Sequence, residues 1–155
     1  MNQIVEVLEP DAVDATLNTA NKKSLFQQLA TVMGRRTKLD SRAILAALNE
    51  RERLGSTGFG GGIAIPHGKI EGLPKVTGYF ARLNFPIEFH SVDGLPVDLV
   101  FLLLSPPDAG ADHLKALASV SRMFRDKNMT AKLRGARSKD AIYALLTGVE
   151  ALDAV

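Results

Sequence analysis

Apolar positions along this chain recur in two alternating periods. Val13, Ala15 and Leu17 alternate with polar neighbours as in a half-buried strand, after a segment from Ile4 to Leu8 that reads as a short helix stopped by Pro10. Leu25, Phe26, Leu29, Val32 and Met33 then fall on one helical stripe, with Thr19 or Asn21 as the cap and Gly34 as the expected end. A second helix is expected from Asp40 or Ser41 to Gly55, burying Ile44, Leu45 and Leu48.

Downstream the period shortens. Ile63 to Ile65 is a short apolar strand, and Val76 to Leu83 and Ile87 to Phe89 read as two more, separated by Asn84 and Pro86; Asp93-Gly94 marks a turn. Val97 to Leu104 is apolar at nearly every position, the pattern of a strand buried on both faces, and Pro106-Pro107 end it. Helices follow: one capped by Asp112 with Leu114, Leu117, Val120 and Phe124 on its stripe, a short one over Met129 to Arg134, and a last one from Ser138 to Leu146, stopped by Gly148, beyond which fraying is expected. Helices before and after strands, with one strand covered on both faces, predict the α/β class: a single-domain mixed β-sheet flanked by helices on both faces.

Composition narrows this little. The 155 residues, 46% apolar and 23% charged, suit one globular domain spanning residues 1–155. The absence of cysteine removes thiol nucleophiles, disulfides and cysteine metal sites together. The longest apolar run, Leu99 to Leu104, is too short to span a bilayer, and the first residues carry no Lys or Arg; a cytoplasmic protein without membrane insertion is expected. Net charge is +2. Arg122 to Lys139 is nonetheless basic, with a single interleaved aromatic, Phe124, which suits a solvated helix face or an acidic protein partner better than a nucleic acid.

The chemistry concentrates in Gly55 to Lys69, GSTGFGGGIAIPHGK. The glycines match neither the dinucleotide fingerprint nor a P-loop, and the chain holds no GxSxG and no HExxH. The loop leads to His67. Pro66 biases Ile65 to an extended form, so His67 is expected at the end of a strand, either as a ligand-facing imidazole or as a half-buried one bonded to backbone. Arg51 falls three residues after Leu48, on the core-facing stripe of its helix; it either snorkels over the helix C-terminus or brings a guanidinium to the glycine loop. His113 lies in the first turn of a helix, where the dipole attracts anions and keeps an imidazole neutral, or is simply a surface residue beside a cap. His90, beside Phe89 with no carboxylate expected near it, completes a conceivable three-histidine zinc set with His67 and His113, a reading that this lack argues against.

His67 follows Arg51 by 16 positions, and His113 follows His67 by 46. With RERLGSTGFGGGIAIPHGK from Arg51 to Lys69, PVDLVFLLLSP from Pro96 to Pro106 and the helix start at His113-Leu114, the chain resembles the mannitol/fructose-type enzyme IIA domains of the bacterial phosphoenolpyruvate-dependent phosphotransferase system, closest to their nitrogen-related, regulatory branch. The likeness runs from about Ile4 to Gly148; Gly61, in a slot that often carries a polar residue, is a small departure. The resemblance implies that His67 is phosphorylated in transit, that His113 is a second active-site histidine and that Arg51 contacts the phosphoryl group. Ser56 and Thr57 hydroxyls can assist or serve as turn bonds. It also implies no cofactor and no metal, a small histidine phosphocarrier protein as donor, and regulators of potassium or nitrogen physiology as targets. A sugar-specific fructose or mannitol IIA component passing phosphate to a IIB domain, and a non-catalytic anion- or protein-binding module, remain the alternatives.

Overall fold

The computed structural model describes residues 3–148. A 3-10 helix (Gln3–Glu6) leads to β1 (Val13–Leu17), α1 (Lys22–Thr37) and α2 (Ser41–Arg53). Three short strands follow, β2 (Gly58–Gly60), β3 (Ile63–Ala64) and β4 (His67–Lys69), then two long ones, β5 (Thr77–Ile87) and β6 (Val97–Ser105). The chain then forms α3 (Ala111–Phe124), α4 (Lys127–Gly135) and α5 (Lys139–Thr147).

β6 is the strand on which the sheet is built. The order is β1-β5-β6-β3-β2, with β4 also paired to β6. β5 runs antiparallel to β6, whereas β3 and β4 run parallel to it. β6 is buried at every residue but Asp98, so apolar cover is needed on both of its faces. Phe80, Phe101 and Phe124 meet there with ring centroids 6.3–6.4 Å apart, joining β5, β6 and α3 in one core. The expected α/β class with a mixed sheet is the one observed.

Several boundaries differ from the sequence reading, each for a local reason. The N-terminal helix is a single 3-10 stretch rather than Ile4 to Leu8. Gly34 does not end α1: the helix continues to Thr37 and turns at Lys38 in the left-handed region, while the bare Gly34 lets Ser41 of α2 approach. β5 runs unbroken through Asn84 and Pro86; the disruption expected there appears as a register shift between Arg82 and Ile87. Phe89 lies beyond it. α3 is entered at Gly110, with no side-chain cap, so Asp112 is inside the first turn and not the N-cap. Leu114, assigned to the buried stripe, is 66% exposed, and Ala116, Val120 and Phe124 form the buried face. Of the two caps expected for α1, Asn21 is the one used, accepting from Ser24 N–H; Asp40 caps α2 by accepting from Arg42 N–H, and Ser138, read as the first residue of the last helix, caps it by accepting from Ala141 N–H, with Gly148 closing α5. The fraying expected beyond Gly148 lies outside the described residues. Among the described residues no helix is long and apolar enough to cross a membrane.

Candidate active site

His67 opens β4 instead of ending a strand, and the break before it is what orients the ring. β3 pairs with Leu99 and Val100 of β6, and β4 with Leu103 to Ser105; between them Ile65 and Pro66 leave the ladder. Pro66 has no N–H to give, but its carbonyl still accepts from Leu103 N–H at 3.0 Å. The Ile65 carbonyl is thereby left for the side chain two residues on, and His67 Nδ1 lies 2.8 Å from it. A carbonyl oxygen only accepts, so Nδ1 carries the proton and Nε2 holds the lone pair.

Nε2 faces Arg51 in the last turn of α2. The guanidinium donates from Nε to His67 Nε2 at 3.2 Å and from Nη1 to the Gly55 carbonyl at 2.8 Å. Arg51 thus turns into the site instead of capping its own helix. The third residue comes from α3: the His67 and His113 rings lie 5.6 Å apart at 48°. His113 Nδ1 is in turn 2.5 Å from Ser105 Oγ at the end of β6. Three elements distant in sequence therefore place Arg51, His67 and His113 side by side, beside a cleft of about 380 Å³ to which Ser56, Thr57, Ser121 and Arg125 contribute.

Both rings are held neutral. Burial pushes the His67 pKa below its ordinary value, reinforced by the Arg51 charge and opposed by the Ile65 bond. Burial also lowers that of His113, with His67 and the Lys69 ammonium adding to the effect. A neutral imidazole whose Nε2 lone pair is turned to a guanidinium is a nucleophile with an anion-binding group already in place.

The glycine loop owes its position to residues that no motif marked. Glu52, next to Arg51, accepts Thr57 N–H at 2.9 Å and Thr57 Oγ1–H at 2.6 Å, and pairs with Lys22 Nζ at 2.7 Å. The Thr57 hydroxyl proton is thus committed to Glu52. Ser56 Oγ accepts Gly58 N–H at 3.1 Å and reaches the Phe89 carbonyl at 3.4 Å. At the loop tip Gly61 gives its N–H to Asp93 and receives Arg134 on its carbonyl, and Arg134 also makes a forked pair with Asp98. One member of the basic run thereby serves the site from behind. Gly60, Gly61 and Gly62 all have positive φ, the backbone this tight tip demands.

His90 stands apart from this cluster. Its side chain is 83% exposed and does have a carboxylate beside it, that of Glu88 at 3.8 Å, which corrects the expectation of none. Among the described residues no group of three or more His, Cys, Asp or Glu side chains is placed to hold a metal ion.

The open mixed sheet flanked by helices is a fold that solved phosphotransferase-system IIA proteins share. The chain belongs to the EIIA 2 family of the phosphoenolpyruvate-dependent sugar phosphotransferase system, whose model matches residues 6–149. It is 49% identical over 143 residues to the nitrogen regulatory protein of Bradyrhizobium diazoefficiens, covering 92% of this chain and 94% of the relative. The crystal structure of nitrogen regulatory protein IIA-Ntr from Neisseria meningitidis superposes with a TM-score of 0.88 at 35% identity, covering 93% of this chain and 99% of that one. IIA mannitol from Escherichia coli shares the fold at 19% identity, with a TM-score of 0.74 and coverage of 89% and 97%. Within that family the chain is similar over nearly its whole length to nitrogen regulatory proteins.

Proposed function

We propose that His67 accepts a phosphoryl group on Nε2 from the phosphohistidine of a small carrier protein, and that the phosphorylated and free forms bind regulatory partners differently. The observation that carries this is the bond from Nδ1–H to the Ile65 carbonyl, which leaves the Nε2 lone pair facing Arg51. In the transfer that lone pair attacks phosphorus in line while the donor N–P bond breaks, its electrons returning to the donor imidazole. Each ring keeps the proton on its other nitrogen, so no proton need move. Arg51 shifts from Nε2 to the equatorial oxygens, and His113 lies close enough to share them; the site supplies alignment and charge compensation. The N–P bond broken in the donor and the N–P bond formed on His67 are both phosphoramidate bonds, so the step needs no further activation by a nucleotide or metal. The 49% identity to a nitrogen regulatory protein favours a regulatory role, in the cytoplasm, over sugar transport.

Mass spectrometry of the intact protein after incubation with a phosphorylated histidine carrier tests this. One phosphoryl group is expected on the wild type and none on His67→Ala. Equal labelling of the two, or none on the wild type, defeats the assignment and favours a module that binds without being modified.

A further inference from the structure

Ser105 closes β6, is fully buried, and is followed by a proline. Its backbone is pinned from the neighbouring segment, since its carbonyl accepts Ile70 N–H at 2.9 Å. Its hydroxyl has one hydrogen-bond partner among the described residues, His113 Nδ1 at 2.5 Å. A buried hydroxyl must give its proton to something, and leaving it unpaired costs the full desolvation of the group. If Nδ1 of His113 carried a hydrogen, that hydrogen would point at Oγ and the hydroxyl proton would have no acceptor. The arrangement satisfies both groups only when Oγ–H donates and Nδ1 accepts, which puts the ring proton of His113 on Nε2.

Resting on the phosphoryl-transfer reading above, we propose that Ser105 is a positioning residue that locks His113 as a neutral, Nε2-protonated donor for the phosphoryl oxygens. His67 and His113 then sit side by side in opposite tautomers. The Ile65 carbonyl keeps the proton of His67 on Nδ1 and bares Nε2 for attack; Ser105 keeps the lone pair of His113 turned away and presents its N–H. His113 in this state can neither take the phosphoryl group through Nε2 nor act there as a base. Burial opposes a second proton on it, and His67 and Lys69 on β4 add to that. A hydroxyl at residue 105 therefore directs the phosphoryl group to one of two adjacent imidazoles.

Long-range 1H–15N spectra of the histidine side chains in the unphosphorylated full chain read this without any donor protein. At neutral pH the wild type should show His113 with a protonated Nε2 and a hydrogen-bonded, unprotonated Nδ1. Ser105→Ala should shift the His113 Nδ1 resonance to that of an unbonded nitrogen and mix the tautomers while leaving His67 unmoved. It should also slow phosphoryl uptake roughly three- to tenfold, the worth of one such hydrogen bond. Ser105→Thr, which keeps the hydroxyl on a β-branched residue suited to a strand, should recover both. A wild-type His113 protonated on Nδ1, or a Ser105→Ala protein with unchanged His113 resonances and uptake, overturns the proposal. Failure of the phosphoryl-transfer reading would look different, because His67 would stay unlabelled while the His113 spectrum remained as described.

Discussion

Glu52 offers the most quantitative test of how the site is held. Its carboxylate takes three donors, Thr57 N–H, Thr57 Oγ1–H and the Lys22 ammonium, with the Glu52 side chain only 10% exposed and that of Lys22 24%. An exposed ion pair contributes about 0–1 kcal/mol. Burial changes the arithmetic, because hydrogen bonds to charged groups are each worth about 1.5–3 kcal/mol and removing one partner strands the others. After Glu52→Ala, Lys22 keeps the Phe89 carbonyl at 3.2 Å and the Phe89 ring at 4.2 Å, so part of its loss is recovered. Glu52→Ala should therefore cost about 3 kcal/mol, within a range of about 2–4, and Glu52→Gln about half as much, since an amide oxygen still serves Thr57. Urea unfolding reads this as a lower midpoint at unchanged slope. Pairing Glu52→Ala with Lys22→Met in a double-mutant cycle should give a coupling of about 1 kcal/mol or more. A loss below about 0.5 kcal/mol for Glu52→Ala would refute the reasoning, placing Glu52 with ordinary surface charges.

Arg51→Lys should leave the unfolding midpoint nearly unchanged and slow phosphoryl uptake on the order of a hundredfold, because a point charge cannot bond Nε2 or phosphoryl oxygens while holding Gly55; uptake within a few-fold of wild type would remove Arg51 from the reaction. Since both histidine pKa values lie below the ordinary 6.5, the unfolded chain takes up protons before the folded one as pH falls. Stability is then fully present above 6.5 and lost progressively as pH drops through the lowered folded values, whereas uptake stays level through 6.5 and declines only below it. A rate already halved at pH 6.5 would contradict this. Gly58→Ala would drive its Cβ onto the Ser91 hydroxyl and within 2.9 Å of Phe89 Cδ1, a ring with no exposure, and should cost about 1–3 kcal/mol by thermal or urea unfolding. A neutral outcome would mean that the loop backbone yields freely there.

What could be read from the chain alone depended on whether a signal was local. The period of Leu25 to Met33, the helix starts at Asn21, Asp40 and Ser138, and the unbroken apolar run of β6 each record their own surroundings, and each was legible to within a residue or two. Arg51 was legible for the same reason, a charge on an apolar stripe. Glycine and proline misled where neighbours outweighed propensity: Gly34 serves the approach of α2, and β5 absorbs Pro86 as a register shift. Asp112 looked like a cap because nothing local announced that Gly110 would turn the chain first. Asp93 and Arg134 were silent because their partners are distant in sequence, Arg134 being 73 residues from the carbonyl it holds, and Glu52 because no motif marks a carboxylate that ties Thr57 to Lys22 of α1. Ser105 left a faint mark, a lone polar residue ending an apolar strand before two prolines, whose meaning depended on His113 lying over it.

The strand break at Ile65-Pro66 explains why the reactive nitrogen is available at all. Ile65 turns its N–H away from β6, to the Thr57 carbonyl at 3.0 Å; had its own carbonyl been taken up by that same neighbouring backbone, the His67 Nδ1 proton would have lost its acceptor. The neutral ring would then be free to exchange tautomers, and in one of them Nε2 would carry a proton and face the Arg51 guanidinium donor to donor. Instead, β3 stops after pairing with Val100, β4 resumes at Leu103, and the skipped carbonyl holds the ring 2.8 Å away. A defect in the sheet ladder thus sets the proton inventory of the nucleophile, and the proline maintains it by denying the ladder an N–H at that point.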